Sequence, residues 1–177
     1  MKAEKILIVV DMQKDFVTGA LGSAGAAGAA AQIAGLLKEY RQKGWRVIYT
    51  ADTHTQDEYN QKSSQESARI PRHCVRGEAG WQIVDELAPA PGEVVVEKPS
   101  FGSLDLEKAI GQIGPQVTLE LCGVCTDICV VSNALSLRAK YPGNPICVRG
   151  NCCAGTSPEN HSAALAVMGS CLIDIIE

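Results

Sequence analysis

The sequence predicts an α/β fold, a three-layer sandwich in which a doubly wound, mostly parallel six-stranded sheet lies between two layers of helices. Short apolar runs alternate along the chain with longer helical patterns, which is typical of right-handed strand-helix-strand units. The first run, KILIVVD, is continuously apolar and β-branched, as in a strand covered on both faces. With 177 residues, 46% of them hydrophobic, the chain suffices for a single domain over residues 1–177.

Six segments are predicted to be strands because each is short, apolar and rich in β-branched residues. They are residues 5–11, 45–52, 93–98, 117–123, 146–150 and 171–176.

Helical periodicity is found between these strands. Residues 24–43 carry an apolar face that includes Ile33 and Leu37, and Gly44 follows as a C-terminal cap. Further helices are predicted over residues 104–113, 126–140 and 157–169. Residues 53–80 show no such pattern and are predicted to be one irregular segment, which in a compact domain is usually functional or disordered.

The composition excludes several classes of function. The net charge is −4 and lysines and arginines form no cluster, so nucleic acid is not an expected partner. The first apolar run is too short for a signal peptide or a membrane span. We therefore expect a cytoplasmic protein with a small-molecule partner, whose eight cysteines stay reduced and are mostly buried.

Reactive side chains lie at the ends of four successive predicted strands or just after them. Because ligands of open parallel sheets bind beyond the carboxyl ends of the strands, these side chains should meet at one rim. The residues are Asp11, Asp52 with His54, Lys98, and Cys125 with Cys129.

The thiols near the fourth strand have different predicted roles. Cys129 falls in the first turn of a helix that begins near Thr126, where the helix dipole favours a thiolate. Gly123 permits a tight turn there, so the backbone N–H groups of Cys125 and Cys129 could face one oxyanion. Cys122 ends the strand and is predicted to be packing.

A thiol nucleophile needs a base or a positive neighbour at neutral pH. Asp11 could accept the proton of Cys129, and Lys98 could keep Asp11 ionised and in position. We therefore predict that these three residues are catalytic.

A metal site is predicted beside them. Asp52 and His54 are two apart and project to the same side of an extended segment. His73 could close a three-ligand site with open positions, with Cys74 as the competing ligand. His161 lies at a polar helix start and is expected to be solvated, without a role.

At this point the sequence resembles the isochorismatase-like cysteine hydrolases, and among them the nicotinamidases. The motifs that carry the resemblance are ILIVVDMQKDF, ADTH, HCVRGEAGW, EKPSFGSLDL and LCGVCTDICVVSNAL. The resemblance implies a catalytic triad of Asp11, Lys98 and Cys129, and a cis peptide between Val124 and Cys125. It also implies a homo-oligomer.

The resemblance implies a divalent metal held by Asp52, His54 and His73. Zinc is the expected metal, with iron and manganese as alternatives, because all three accept nitrogen and oxygen ligands. Many nicotinamidases carry a tryptophan where this chain has Ile70. We expect the substrate pocket to be lined by Phe16, Ile70, Phe101 and Val124.

Three functions follow from these features. The first is a cysteine amidohydrolase that converts nicotinamide to nicotinate through a thioester. The second keeps the triad but acts on another small amide, carbamoyl or ureido substrate without a metal. The third is a thiol redox or metal-binding protein, which leaves Asp11 and Lys98 unexplained; its cysteines would be Cys122, Cys125, Cys129, Cys152 and Cys153.

Overall fold

The computed structural model describes residues 4–177, so residues 1–3 of the predicted domain lie outside the described residues. The strands are β1 (Lys5–Val10), β2 (Arg46–Asp52), β3 (Val94–Lys98), β4 (Thr118–Val124), β5 (Ile146–Ala154) and β6 (Asp174–Ile176). The α-helices are α1 (Lys14–Val17), α2 (Ala24–Lys43), α3 (Gln56–Gln61), α4 (Gln65–Arg69), α5 (Leu106–Ile110), α6 (Val131–Lys140) and α7 (Pro158–Ser170).

The six strands form one sheet in the order β3-β2-β1-β4-β5-β6, and every neighbouring pair is parallel. The chain therefore winds outward in both directions from the β1–β4 pair, which confirms the predicted fold class. Helix α2 packs against β2, β4 and β5, whereas α5 contacts β2 and β3, and α6 and α7 contact β5. Right-handed crossovers place α2 on one face and α5 to α7 on the other.

The core lies on both faces of β1. Its residues Ile6–Val10 have no exposed surface, as expected of a strand covered on both sides. Helix α2 buries Ile33, Leu37 and Tyr40 and ends at Gly44, whose φ of 67° is the left-handed conformation that glycine adopts readily. Within residues 4–177, no helix has the length and apolarity needed to cross a membrane.

The register of the central strands positions the site. Val10 is paired with Thr50 of β2 on one side and with Gly123 of β4 on the other. Asp52 is paired with Lys98 across β2 and β3. The last residues of four adjacent strands therefore lie side by side, at the edge where parallel sheets bind ligands.

The irregular segment predicted over residues 53–80 is wrong in part. It contains the short helices α3 and α4, and a 3₁₀ turn, Ala79–Trp81, begins at its end. Helices of six and five residues show too few turns for a 3.6-residue period to appear. Their starts are marked instead by the side chains of Thr55 and Ser64, which accept hydrogen bonds from the first turn.

Other boundaries also differ from the predictions. β5 continues four residues past position 150 to Ala154, after an irregularity in its register with β4. β6 begins only at Asp174, because Leu172 has a φ of 61° that interrupts an extended chain. The predicted helix 126–140 starts as a π-helical turn, Thr126–Val130, before α6.

Candidate active site and metal centre

Lys98 lies at the centre of the predicted triad. Its ammonium Nζ is 2.7 Å from Asp11 Oδ2 and 3.5 Å from Cys129 Sγ. It also donates to the Ser100 carbonyl at 2.9 Å and lies 3.4 Å from Asp52 Oδ1. Burial lowers the pKa of Lys98, but the negative charges of Asp11 and Asp52 outweigh burial and raise it above the usual value. The lysine is therefore a buried cation shared by the groups around it.

Asp11 is held where β1 ends. Its backbone has a φ of 50° and its N–H donates to the Thr50 carbonyl at 3.2 Å. The Thr50 hydroxyl donates to Asp11 Oδ1 at 2.6 Å, which leaves Oδ2 toward Lys98. Burial raises the pKa of Asp11, Lys98 opposes this, and the net result is a raised pKa. A carboxylate with a raised pKa is a stronger base.

Cys129 lies within the π-helical turn after β4. The Cys125 carbonyl accepts from Ile128 N–H at 3.1 Å and from Val130 N–H at 3.0 Å, which sets the wide turn. The peptide bond between Val124 and Cys125 is cis, as the family resemblance implies.

The Cys129 thiol is buried, and burial affects its pKa. Burial raises the pKa of the thiol well above its usual value, the Asp11 carboxylate adds to the rise, and Lys98 opposes it. Burial and the Asp11 carboxylate thus oppose the thiolate that the helix dipole was predicted to favour. Nucleophilic attack then needs a base, for which Asp11 is the adjacent candidate.

The second half of the site is a group of four buried side chains whose ligand atoms all lie within 4.8 Å of one another. The carboxylate Asp52 Oδ2 lies 3.1 Å from His54 Nε2 and 3.2 Å from His73 Nε2. The fourth member is Glu66, whose Oε1 is 3.5 Å from His54 Nε2 and 3.6 Å from His73 Nε2. Cys74 does not belong to this group among the described residues.

The Nδ1 atoms of His54 and His73 lie within hydrogen-bonding distance of neighbouring groups, as the nitrogens that do not bind the metal do in metal centres. His54 Nδ1 lies 3.2 Å from Glu58 Oε2, and His73 Nδ1 lies 2.7 Å from the Pro71 carbonyl and 2.9 Å from the Tyr59 hydroxyl. Each Nε2 is therefore directed into the four-residue group. Two imidazole nitrogens and two carboxylates fit zinc, iron or manganese.

The protonation of the two histidines reflects the two acids. Burial lowers the pKa of His54, but hydrogen bonds to Asp52 and Glu66 outweigh burial and raise it to about 10. The same opposing effects raise the pKa of His73 to about 9. Without a metal, both imidazoles therefore carry protons that pair with the carboxylates, and a metal would displace these protons.

Sequence reasoning missed Glu66, Glu58 and Thr50. Glu66 lies on α4, in the segment that was predicted to be irregular, so no periodicity showed which way it projects. The pattern Thr55-x-x-Glu58 is the sequence signal of a helix start and could have predicted α3. Thr50 carried no signal, because a threonine inside a strand is ordinary.

A cavity of about 330 Å³ connects the two halves. Its wall includes Cys129 of the first half and Glu66 and His73 of the second. The predicted pocket residues all line it: Phe16, Ile70, Phe101 and Val124. The Phe16 ring is tilted by 58° against the His73 ring, with the centroids 5.4 Å apart. The apolar walls suit a flat ring that bears a reactive group.

The expectation that His161 is solvated is wrong. His161 is half-buried and its Nδ1 lies 2.8 Å from the hydroxyl of the fully buried Thr126. Thr126 begins the π-helical turn that contains Cys129, so the contact between Thr126 and His161 links α7 to that turn.

Comparison with known proteins finds one family that matches nearly the whole chain. The sequence model of the isochorismatase domain family matches residues 5–177. The uncharacterized isochorismatase family protein PncA of Bacillus subtilis is 32% identical over 92% of this chain and 93% of its own length. The ureidoacrylate amidohydrolase RutB of Azorhizobium caulinodans is 29% identical over 73% of this chain and 67% of its own length.

Solved structures superpose closely. Nicotinamidase/pyrazinamidase PncA from Bacillus subtilis has a TM-score of 0.86 at 28% identity and covers 98% of this chain and 100% of its own. The pyrazinamidase of Pyrococcus horikoshii in complex with zinc has a TM-score of 0.84 at 28% identity, covering 98% and 99%. N-carbamoylsarcosine amidase from Thermoplasma acidophilum has a TM-score of 0.76 at 26% identity, covering 98% and 96%.

Proposed function

This chain belongs to the isochorismatase family, and from that premise we propose that it hydrolyses a small heteroaromatic carboxamide, nicotinamide above all, to the acid and ammonia. The observation that carries the proposal is one apolar cavity lined by both Cys129 and the imidazole of His73. Nicotinamide has a carboxamide carbon, which Cys129 can attack, and a pyridine nitrogen lone pair, which the His73 side of the cavity can bind.

The first step forms a thioester. Asp11 takes the proton of the Cys129 thiol, and Sγ attacks the carboxamide carbon to form a C–S bond. The backbone N–H groups of Cys125 and Cys129 hold the oxyanion. Asp11 then protonates the amide nitrogen as the C–N bond breaks, and ammonia leaves.

The second step releases the acid. Water attacks the thioester carbon while Asp11 takes its proton. The C–S bond breaks and the thiolate regains a proton from Asp11, so the starting state returns. Lys98 stabilises the changing charge throughout, because its Nζ lies 2.7 Å from Asp11 Oδ2 and 3.5 Å from Cys129 Sγ.

A divalent metal would be held by Asp52, His54, Glu66 and His73. When bound, it supplies an electrophilic partner for the ring nitrogen and so orients the substrate. Zinc is the proposed ion, supported by the zinc complex of the Pyrococcus horikoshii pyrazinamidase, and iron and manganese suit the same ligands.

A carbamoyl or ureido substrate is the second candidate, favoured by the ureidoacrylate amidohydrolase and carbamoylsarcosine amidase relatives. Substrates of this class that carry a carboxylate need a cationic partner. No lysine or arginine is found among the described residues that line the cavity, which supports the neutral carboxamide instead. The thiol redox function receives no support, since it leaves the Asp11–Lys98 pair unused.

The first test measures ammonia release from nicotinamide, pyrazinamide and ureidoacrylate, with and without a chelator. Replacing Cys129→Ala should lower kcat on nicotinamide by a factor of at least about 1,000, because no other group forms the thioester. The far-ultraviolet circular dichroism should stay unchanged. The matched control is Cys171→Ala, which removes an exposed thiol and should leave kcat unaltered.

Two outcomes would contradict the proposal. Ammonia release by Cys129→Ala at the wild-type rate would exclude a thioester at this residue. Faster turnover of ureidoacrylate than of nicotinamide, insensitive to chelator, would favour the second candidate.

The proposal also includes a cytoplasmic location, a homo-oligomer and one domain over residues 1–177. Exposed large apolar side chains, among them Leu104 and Leu172, are candidates for a subunit interface. Light scattering of the purified protein gives the oligomeric mass directly.

A further inference from the structure

Gln13 lies beyond the end of β1 and has no exposed surface. Its side-chain amide makes three hydrogen bonds. Nε2 donates to the Asp52 carbonyl at 2.9 Å and to the Trp81 carbonyl at 2.8 Å, and Oε1 accepts from the Asp52 N–H at 2.7 Å. One side chain thus binds both backbone polar groups of Asp52.

Through two of these bonds, the Gln13 side chain extends the hydrogen-bond ladder between β1 and β2. The backbone of β1 last pairs with β2 near Val10, and Asp11 N–H donates to the Thr50 carbonyl at 3.2 Å. Beyond that point the chain turns away, since Gln13 N–H bonds back to the Asp11 carbonyl at 2.7 Å. The Gln13 amide therefore supplies the donor and the acceptor that two further residues of an extended β1 would have offered to Asp52.

Asp52 is the residue that joins the two halves of the site. Its Oδ2 faces His54 and His73 at 3.1 and 3.2 Å, and its Oδ1 lies 3.4 Å from Lys98 Nζ. A shift of its backbone would therefore displace a metal ligand and a charge partner of the catalytic lysine together.

We propose that Gln13 is a positioning residue that holds the main chain of Asp52, and through it keeps the metal ligands in register with Lys98 and its partners. The inference rests on the proposed function for its catalytic half, whereas its metal half stands on geometry alone. A glutamine is required because Asp52 presents both a donor and an acceptor. A carboxylate of the same shape would place an acceptor against the carbonyls of Asp52 and Trp81.

The test compares Gln13→Glu with Gln42→Glu, which makes the same charge change at an exposed position of α2. Zinc affinity of the metal-free proteins is measured by titration calorimetry, and kcat and KM for nicotinamide are measured at saturating zinc. We expect Gln13→Glu to weaken zinc binding about 10- to 100-fold, as losses of groups that orient metal ligands do. We also expect kcat at saturating zinc to fall, and Gln42→Glu to match the wild type in both measurements.

A second variant covers the case in which Gln13→Glu does not fold. Gln13→Met keeps the length of the side chain without a charge, and it should accelerate hydrogen exchange at the Asp52 amide about tenfold or more while weakening zinc binding. Wild-type zinc affinity and kcat in a folded Gln13 variant whose melting temperature alone has fallen would overturn the inference, because they indicate a structural role only.

The failure of the proposed function gives a different result. If wild-type protein binds zinc but releases no ammonia from nicotinamide, the proposed function is wrong and the ratio of zinc affinities still decides the role of Gln13. If wild-type protein binds none of zinc, iron and manganese, the inference about Gln13 is overturned.

Discussion

The side chain of Thr50 contributes to the site through its hydroxyl, which donates to Asp11 Oδ1 at 2.6 Å. Thr50→Val keeps the shape of the buried side chain and removes this bond. Because hydrogen bonds to charged groups are worth about 1.5–3 kcal/mol, we expect kcat/KM for nicotinamide to fall roughly 10- to 100-fold. Thr118→Val, at the start of β4 and away from the site, is the control and should retain full activity.

The same variant should change the pH dependence in one direction. The Thr50 hydroxyl is among the groups that lower the pKa of Asp11, so its removal raises that pKa further. Asp11 must be ionised to accept the thiol proton, and the acidic limb of kcat/KM should therefore move to higher pH. An acidic limb that stays in place or moves to lower pH would contradict Asp11 as the base.

At the scale of single residues, the sequence predicted the reactive side chains better than it predicted the side chains that contact them. Asp11, Lys98 and Cys129 carry reactive groups and lie at the end of a strand or after it, so the rule for parallel sheets predicts that they meet. Glu66 and Gln13 could not be found in that way. Their positions depend on the direction of short helices and turns, which leave no periodic signal.

The close approach of β1 and β4 is an element-scale feature with a sharp requirement at Gly123. This residue has a φ of 117°, and an added Cβ would overlap the Val10 carbonyl oxygen and lie 2.8 Å from the Val10 nitrogen. Gly123→Ala should therefore lower the free energy of unfolding by about 2–4 kcal/mol, from overpacking and left-handed strain. Urea denaturation measures this change.

The control for that substitution is Gly35→Ala on α2, where an added Cβ meets nothing within 4 Å. Alanine in a helix interior is better than glycine by roughly 0.5–1 kcal/mol, so Gly35→Ala should raise the free energy of unfolding. Equal stability of the two alanine variants would show that β1 and β4 can separate without cost.

The elements were predictable where their pattern was long. β1 and α2 were predicted to within a residue, because a continuous apolar run and a 20-residue amphipathic helix leave strong signals. β5 was predicted too short, since Gly150 and Asn151 are poor strand residues that tertiary pairing nevertheless accommodates.

At the scale of the whole molecule, a bound metal would fasten the end of β2 to the connection that follows it. The four candidate ligands come from β2, from the residues just after it, from α4 and from the loop that follows α4. Ligands that bind only the folded state stabilise it, by about 2.7 kcal/mol at 100 times the dissociation constant. Zinc should therefore raise the melting temperature by roughly 5–10 °C.

Calorimetric melting of the chelated protein, with and without added zinc, checks this effect. Glu66→Gln removes one candidate ligand and should show less than half of the shift. An equal shift in wild type and Glu66→Gln would place the zinc elsewhere on the protein.

The walls of the cavity have a different origin from its reactive groups. Asp11 and Lys98 lie at strand ends, whose spacing is set by the sheet. Phe16 lies on α1, and Ile70 and Phe101 lie in connections after α4 and β3. Exchanging these three side chains should redirect the enzyme toward larger or differently shaped amides without moving the residues at the strand ends. They are therefore the first positions to randomise in laboratory evolution.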